Sequence, residues 1–300
     1  LRQGLDYLRF LDLRYAPFPK LRERAAERAP RFVTILMHLP PLRVAGVRQL
    51  LSNTLSAVER GMPRLEAMDT LLSRERPDVA LFGSVTHPRA AQLDHLRSAR
   101  ALGIPTGVCV YSWDHLSSKT KIRVLPDRLF VWNETQRLEA VELHDMPIDR
   151  VVVTGAQVYD QWFDRKPSRN RKTFLSDIGL PLDQALILYV CSAMTPDPHE
   201  VNFVRRWVEA IRGSSHPQLC EASLLIRPHP ERKREWNDVN WSDLDPLVIA
   251  GANPIQPSAK SDYFDALAHS TAVVGIVTSA FLEAAVVGRP VLTITPPEFR

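Results

Sequence analysis

Three short groups of residues in this chain have the types and spacing to do chemistry. The first is Ser112-Trp113-Asp114-His115-Leu116-Ser117-Ser118-Lys119. Asp114 or His115 could take a proton from an acceptor hydroxyl, and Lys119 could offset phosphate charge. Trp113 and Ser117 would line the same loop, and His87 would face the same edge. The second group is Arg227-Pro228-His229-Pro230. Its prolines fix the backbone on both sides of the histidine. Arg227 is thereby offered as a bidentate phosphate grip and His229 as a hydrogen-bond or proton donor. The third is Thr278-Ser279-Ala280-Phe281-Leu282-Glu283, two hydroxyls at a turn and a carboxylate about one helical turn later. Hydroxyls and free amide N–H groups at a helix start suit a diphosphate, Ser192 could donate to the same phosphates, and Glu283 suits the adjoining ribose. Thr195-Pro-Asp-Pro-His199 reads as turn chemistry, and His199 has no partners at zinc spacing, so no metal is expected.

Each group follows an apolar run short enough to be a buried strand. Strands are expected within 77–84, after its Pro-Asp turn, and at 106–111, 127–131 and 151–154, then at 185–190, 223–226, 247–249, 272–277 and 291–294. Helices fall between them, of about 12–14 residues at 89–102, 133–144 and 200–212 and shorter at 263–269 and 280–287. Gly288 and Pro290 close the last one. Strands alternating with helices predict an α/β fold with parallel, doubly wound sheets, in which ligands bind beyond the carboxyl ends of the strands. The polar stretch 163–173, rich in Arg, Lys, Pro and Ser, reads as a linker. It would separate an N-terminal α/β domain, 1–163, from a C-terminal one, 174–300. Residues 1–31 read as two helices broken at Pro17 and Pro19, Phe32 to Leu36 as a short apolar run, and 42–72 as helix interrupted at 61–63.

Composition narrows the partners. Three hundred residues suffice for two domains at roughly 100–200 residues each, and 45% hydrophobic with 24% charged residues is ordinary for a globular chain. A net charge of +4 suits anionic substrates or an acidic membrane surface. It is too mild for a nucleic-acid binder, and no RNA-binding or zinc-finger spacing accompanies it. Cys109, Cys191 and Cys220 are distant and odd in number, which points to free thiols in a reducing compartment, with Cys109 and Cys191 as core side chains. The longest apolar region, 271–294, is interrupted before a span of ~20 residues accumulates. The chain therefore reads as soluble and cytoplasmic, compatible with peripheral contact at the inner face of a membrane. It begins at Leu1 and stops just after a strand, so it reads as a piece of a longer protein.

These residues resemble those of nucleotide-sugar-dependent glycosyltransferases of the GT-B fold, two Rossmann-like domains facing each other across a cleft. More narrowly, the chain is similar to bacterial enzymes of surface-polysaccharide and teichoic acid synthesis, including the CDP-glycerol glycerophosphotransferases. SWDHLSSK sets Trp113 and Lys119 at the spacing of that family's Trp-His-Gly-Thr-Pro-Leu-Lys, with Asp114 at the family's histidine position. RPHP around His229, TSAFLEAAVVGRPVL, and VVVTGAQVYD, which resembles the segment closing the first domain, carry the rest. The resemblance implies metal-independent transfer from a nucleotide-sugar or CDP-polyol donor, with no separate cofactor, to a polysaccharide or lipid-linked acceptor. It makes 1–163 the acceptor side and 174–300 the domain that binds the nucleotide donor, and puts Asp114 or His115 in the role of base and His229 on the donor phosphates. The nonhydrolysing nucleotide-sugar 2-epimerases share the fold and a Ser-Gly-Gly-x-x-Glu motif, to which Thr278, Ser279, Ala280 and Glu283 correspond. They imply isomerisation without an acceptor, and a non-catalytic nucleotide-sugar-binding protein is a further alternative.

Overall fold

A computed structural model describes residues 1–297 except Ser84, 88–90, 193–199, 231–235, 237–238 and Asp245, with Arg43 described by its backbone alone. The expected turn Thr195–His199 lies outside the described residues. The chain divides into two compact units, Leu1–Val158 and Tyr159–Arg300.

The N-terminal unit opens with a helical lobe: α1 (Arg2–Phe10), α2 (Pro19–Arg28), α3 (Arg31–Leu36), α4 (Ala45–Gly61) and α5 (Glu66–Glu75). Tyr7, Leu8, Phe10, Tyr15, Ala25, Ala29 and Met37 make its core. Arg2 ties the lobe to the sheet region, pairing with Glu59 (2.8 Å) of α4 and with Asp94. The α/β part follows: β1 (Ala80–Phe82), α6 (Gln92–Ala101), β2 (Thr106–Cys109), α7 (His115–Ser118), β3 (Arg128–Val131), α8 (Glu134–His144) and β4 (Val151–Val153). The four strands are parallel and lie in chain order.

The C-terminal unit holds α9 (Asp160–Phe163), α10 (Arg171–Asp177), β5 (Leu186–Val190), α11 (Glu200–Arg212), α12 (Pro217–Cys220), β6 (Ser223–Arg227), β7 (Leu247–Ile249), α13 (Pro257–His269), β8 (Ala272–Gly275), α14 (Ala280–Val286) and β9 (Val291–Thr293). Its parallel sheet runs β7-β6-β5-β8-β9. Successive strand side chains point to opposite faces, and β5 shows the consequence. Leu186, Leu188 and Val190 pack under α10, α13 and α14, with Phe174, Phe264 and Leu267. Ile187 and Tyr189 pack on the other face against Val201, Val204 and Val208 of α11. With both faces covered, every position of β5 and β6 is buried, which is why β5 and the Leu224–Ile226 centre of β6 read as continuous apolar runs rather than alternating ones.

Two expectations are corrected. Residues 163–173 do not form a free linker. The Ser168 N–H and hydroxyl each donate to the fully buried carboxylate of Asp265 at 2.7 Å, and Arg169 donates to it at 2.9 Å. Arg169 also reaches Asp262 (2.7 Å) and Asp177 (3.1 Å), and Asn170 caps α10. A carboxylate buried in α13 needs donors, and the basic, polar segment supplies them. Cys109 is only half-buried, whereas Cys191 is buried, and all three thiols are free.

Candidate functional site

In the N-terminal unit the loop after β2 is held from below by side chains that carry no chemistry of their own. Gln136 of α8 is buried; its amide donates to the carbonyls of Ser112 (3.1 Å) and Trp113 (3.3 Å), and its oxygen accepts from Trp132. His144, fully buried at the end of α8, accepts the Ile122 N–H at Nδ1 (2.9 Å) and faces the Leu116 carbonyl with Nε2 (2.7 Å). That pairing fixes the tautomer with the proton on Nε2. Burial drives the His144 pKa down to about 3, with Arg9 adding to the effect. A neutral folded histidine must charge on unfolding, so its contribution to stability is full above pH 6.5 and is lost progressively toward pH 3. We expect the wild type to lose stability over that interval by up to ~1.4 kcal/mol per pH unit from this group. His144→Asn should be less stable at pH 7 and show a flatter profile, which thermal melts across the interval would measure.

The same loop displays its chemical residues in a different state from the one their order suggests. Asp114 is caged: it accepts from Ser112 (2.8 Å) and Ser118 (2.8 Å), and pairs with Lys119 at 3.0 Å. Burial pushes its pKa up, but these donors outweigh that and hold it below the usual aspartate value. A carboxylate so satisfied is a poor proton acceptor, and Lys119 spends its charge on it. His115 is buried against the edge of Tyr111, with ring centroids 4.1 Å apart. Burial lowers its pKa, Asp114 opposes this, and Lys119 and the exposed His87 add to the lowering. His115 is thus the neutral, basic member of the pair. Trp113 is exposed and Ser117 half-buried on the same loop.

In the C-terminal unit the sheet order supplies something the sequence did not specify. The chain runs outward from β5 through β6 to β7, then returns to the other side of β5 with β8. This reversal is a topological switch point, where open α/β sheets leave a crevice at the strand ends. A cavity of about 230 Å³ lies there, and Arg227, His229, Thr278, Ser279 and Glu283 all line it, with Cys191 and Tyr263. The structure therefore brings the second and third sequence groups together. Ser192 is not in that lining; it is buried, and its N–H donates to Glu200 (2.9 Å).

Arg227, at the end of β6, is buried and locked before any ligand arrives. Its guanidinium donates to Asp262 (3.0 Å) and to the Ala252 carbonyl (3.4 Å), and lies over the Tyr263 ring at 5.1 Å. Gly251 makes room for it: with φ +135°, any Cβ there would stand 2.7 Å from the Arg227 Cζ. Gly275 at the end of β8 is equally confined, since a Cβ would meet the Val190 carbonyl oxygen at 2.6 Å. His229 is half-buried and hydrogen-bonds the Cys191 sulfur through its backbone.

On the opposite wall, Tyr263 donates to Glu283 at 2.6 Å. Burial raises the Glu283 pKa, and Tyr263 and Lys260 only partly offset it. The Thr278 hydroxyl accepts the Ala280 N–H at 3.3 Å, whereas Ser279, the N-cap residue of α14, makes no side-chain cap and is exposed. Thr278 is thus the turn-maker, and Ser279 lines the cavity without capping α14. Asp262, Tyr263 and Gly251 were missed by sequence reading. Only the i, i+1 acidic-aromatic pair on an otherwise ordinary helix hinted at them. Among the described residues, no three His, Cys, Asp or Glu side chains gather as a metal site.

A larger cavity of about 430 Å³ in the N-terminal unit is lined by Arg9, Arg14, Lys121 and Arg123 among others. Its charges are largely matched internally, Arg14 by Asp12, Lys121 by Asp145 and Arg123 by Asp6.

Two parallel sheets with these helices define a GT-B-type α/β fold with Rossmann-like domains. Solved structures of the same fold include UDP-GlcNAc 2-epimerase from Neisseria meningitidis bound to UDP-GlcNAc, at TM-score 0.55 and 17% identity over 76% of this chain and 62% of that one. The enzyme of the same name from Methanocaldococcus jannaschii aligns at 0.52 and 17% identity, over 76% and 64%. S. aureus MnaA with UDP aligns at 0.52 and 15% identity, over 80% and 63%. The chain thus spans a little over three fifths of the length of these structures. No protein-family profile and no curated protein sequence matches it.

Proposed function

We propose that the C-terminal unit binds the diphosphate and ribose of a nucleoside-diphosphate sugar, and that the protein is a nucleotide-sugar enzyme of the 2-epimerase kind. One observation carries the reading: a single cavity at the switch point gathers Arg227, His229, Ser279 and Glu283. Arg227 and His229 take the diphosphate, Ser279 adds a hydroxyl donor, and Glu283 accepts from the ribose hydroxyls. Because Asp262, Tyr263 and Gly251 fix Arg227 in advance, its charge meets the phosphates without reorganisation.

The leading sequence expectation, glycosyl transfer, gives way to epimerisation on two grounds. Solved structures of like fold include UDP-GlcNAc 2-epimerases, and Thr278, Ser279, Ala280 and Glu283 correspond in spacing to the epimerases' Ser-Gly-Gly-x-x-Glu pattern, with Glu283 in common and Ser279 and Ala280 at its glycine positions. Transfer keeps one supporting observation: Tyr111 and Trp113, each about half exposed, stand just before the Asp114–Lys119 loop and offer aromatic faces on which an acceptor sugar could stack. Product analysis separates the two. An epimerase converts UDP-GlcNAc into its 2-epimer with UDP still attached and needs no acceptor. A transferase releases free UDP only when an acceptor is present. Release of UDP strictly dependent on acceptor, with no epimer, would overturn the epimerase reading.

Glu283 supplies a second check. A carboxyl raised in the fold binds a proton that the unfolded chain gives up near pH 4.5. Its charge therefore costs stability as the pH rises through the interval up to the raised value, and above it. Glu283→Gln should melt higher than the wild type at pH 7, lose that advantage below pH 4.5, and bind UDP about tenfold more weakly. A variant that binds UDP as tightly as the parent would remove Glu283 from the site.

A further inference from the structure

We propose that the helical lobe of the N-terminal unit is a docking face for an anionic lipid bilayer. The argument begins with α3, which is apolar on both sides. Val33 points inward, its methyls 3.6 Å from where a Cβ on Gly4 would lie, and Met37, just past the helix end, is buried in the lobe's core. Phe32, Ile35 and Leu36 point the other way, at the i, i+3, i+4 spacing of one helical stripe, with Leu39 following. Phe32 is 70% exposed, Ile35 68% and Leu39 49%. A helix that is apolar all round belongs where both sides are covered, yet this stripe faces solvent. The next long helix repeats the pattern: Leu51 and Leu55 of α4 pack into the core while Leu50 and Val58 stand exposed.

Charge identifies what covers the stripe. Residues 13–50 carry eight Arg and Lys against two Glu, a net of +6, whereas the whole chain is +4. The positive charge of this protein is therefore concentrated around this exposed apolar stripe. Arg28 and Arg31, both exposed, stand immediately before Phe32, and Lys20 is exposed at the start of α2. A second copy of the chain would bring another +6 surface against this one, which disfavours self-association. An anionic bilayer reverses the sign of that term: basic side chains sit among the headgroups while aromatic and aliphatic ones enter the acyl boundary. Among the described residues no helix is long and apolar enough to cross a membrane, so this contact lies on the surface of the bilayer.

Co-sedimentation of the full chain with vesicles tests it. Vesicles containing phosphatidylglycerol should take up the protein, pure phosphatidylcholine vesicles should not, and high salt should release it. Phe32→Ser/Ile35→Ser should lower the partition at least about tenfold, and Arg28→Glu/Arg31→Glu by a further large factor, since each basic residue near the surface contributes about fivefold. Unchanged melting of the variants shows that they are folded, and UDP affinity should stay at the parent value in both, so a failure here leaves the proposed site untouched. The proposal is overturned if the parent protein ignores phosphatidylglycerol vesicles or if the serine pair binds them as well as the parent does. It is also overturned if light scattering finds a dimer that the serine pair dissociates without altering vesicle binding.

Discussion

Arg227→Met is expected to weaken UDP binding by about 10- to 100-fold, because a charged hydrogen-bond donor to phosphate contributes ~1.5–3 kcal/mol. The size of the effect follows from how the side chain is held. Arg227 is buried, braced by Asp262 at 3.0 Å and stacked on Tyr263, with Gly251 leaving room for its guanidinium. It loses little freedom on binding, so most of the gross interaction survives as affinity. Methionine matches much of its length and is tolerated by irregular packing. Asp262 keeps Arg169 as a partner (2.7 Å) when Arg227 is gone, so the fold should survive the change. Arg227→Lys separates charge from geometry: it retains the cation but loses the planar fork. It should recover only part of the affinity, and calorimetric titration of the three proteins with UDP would show the order.

The largest stability loss is expected at Asp265. Its carboxylate is fully buried and accepts from the Ser168 amide, the Ser168 hydroxyl and Arg169. Removing one partner of a buried charged pair typically costs ~3–5 kcal/mol. Here the lower end applies, since Arg169 retains Asp262 and Asp177. Asp265→Ala should therefore cost about 3 kcal/mol and lower the melting temperature by roughly 10 °C. Asp265→Asn keeps an acceptor for Ser168 and should lose less. Scanning calorimetry decides it, and an alanine variant melting within a degree or two of the parent would mean that residues 163–173 are a linker after all.

That segment also shows where sequence reading stops. Phe163 to Thr173 has the composition of a linker because its partners, Ser261, Asp262 and Asp265, lie more than ninety residues away, beyond the reach of any local pattern. The parallel strands were legible for the opposite reason. Burial on both faces leaves a continuous apolar run, and the turn chemistry at their ends, such as Gly288 at φ +74°, is local. Residue types and the resemblance assigned Arg227, His229 and Glu283 to one nucleotide, but the strand order that makes them neighbours is not written in strand pattern. The reversal at β5 and β8 makes them neighbours. The cage around Asp114 was within reach: Ser112, Ser118 and Lys119 lie no more than five residues away, and a single helical turn at His115–Ser118 is enough to fold them onto the carboxylate.

The central claim is that the cavity beside Arg227 holds a nucleoside diphosphate, and isothermal titration of UDP and UDP-GlcNAc into the parent protein and Arg227→Met tests it most directly. The predicted result is one saturable site per chain, shared by both ligands in competition and weakened at least tenfold in the variant. Absence of binding by either nucleotide, or equal affinity in the parent and Arg227→Met, would contradict it.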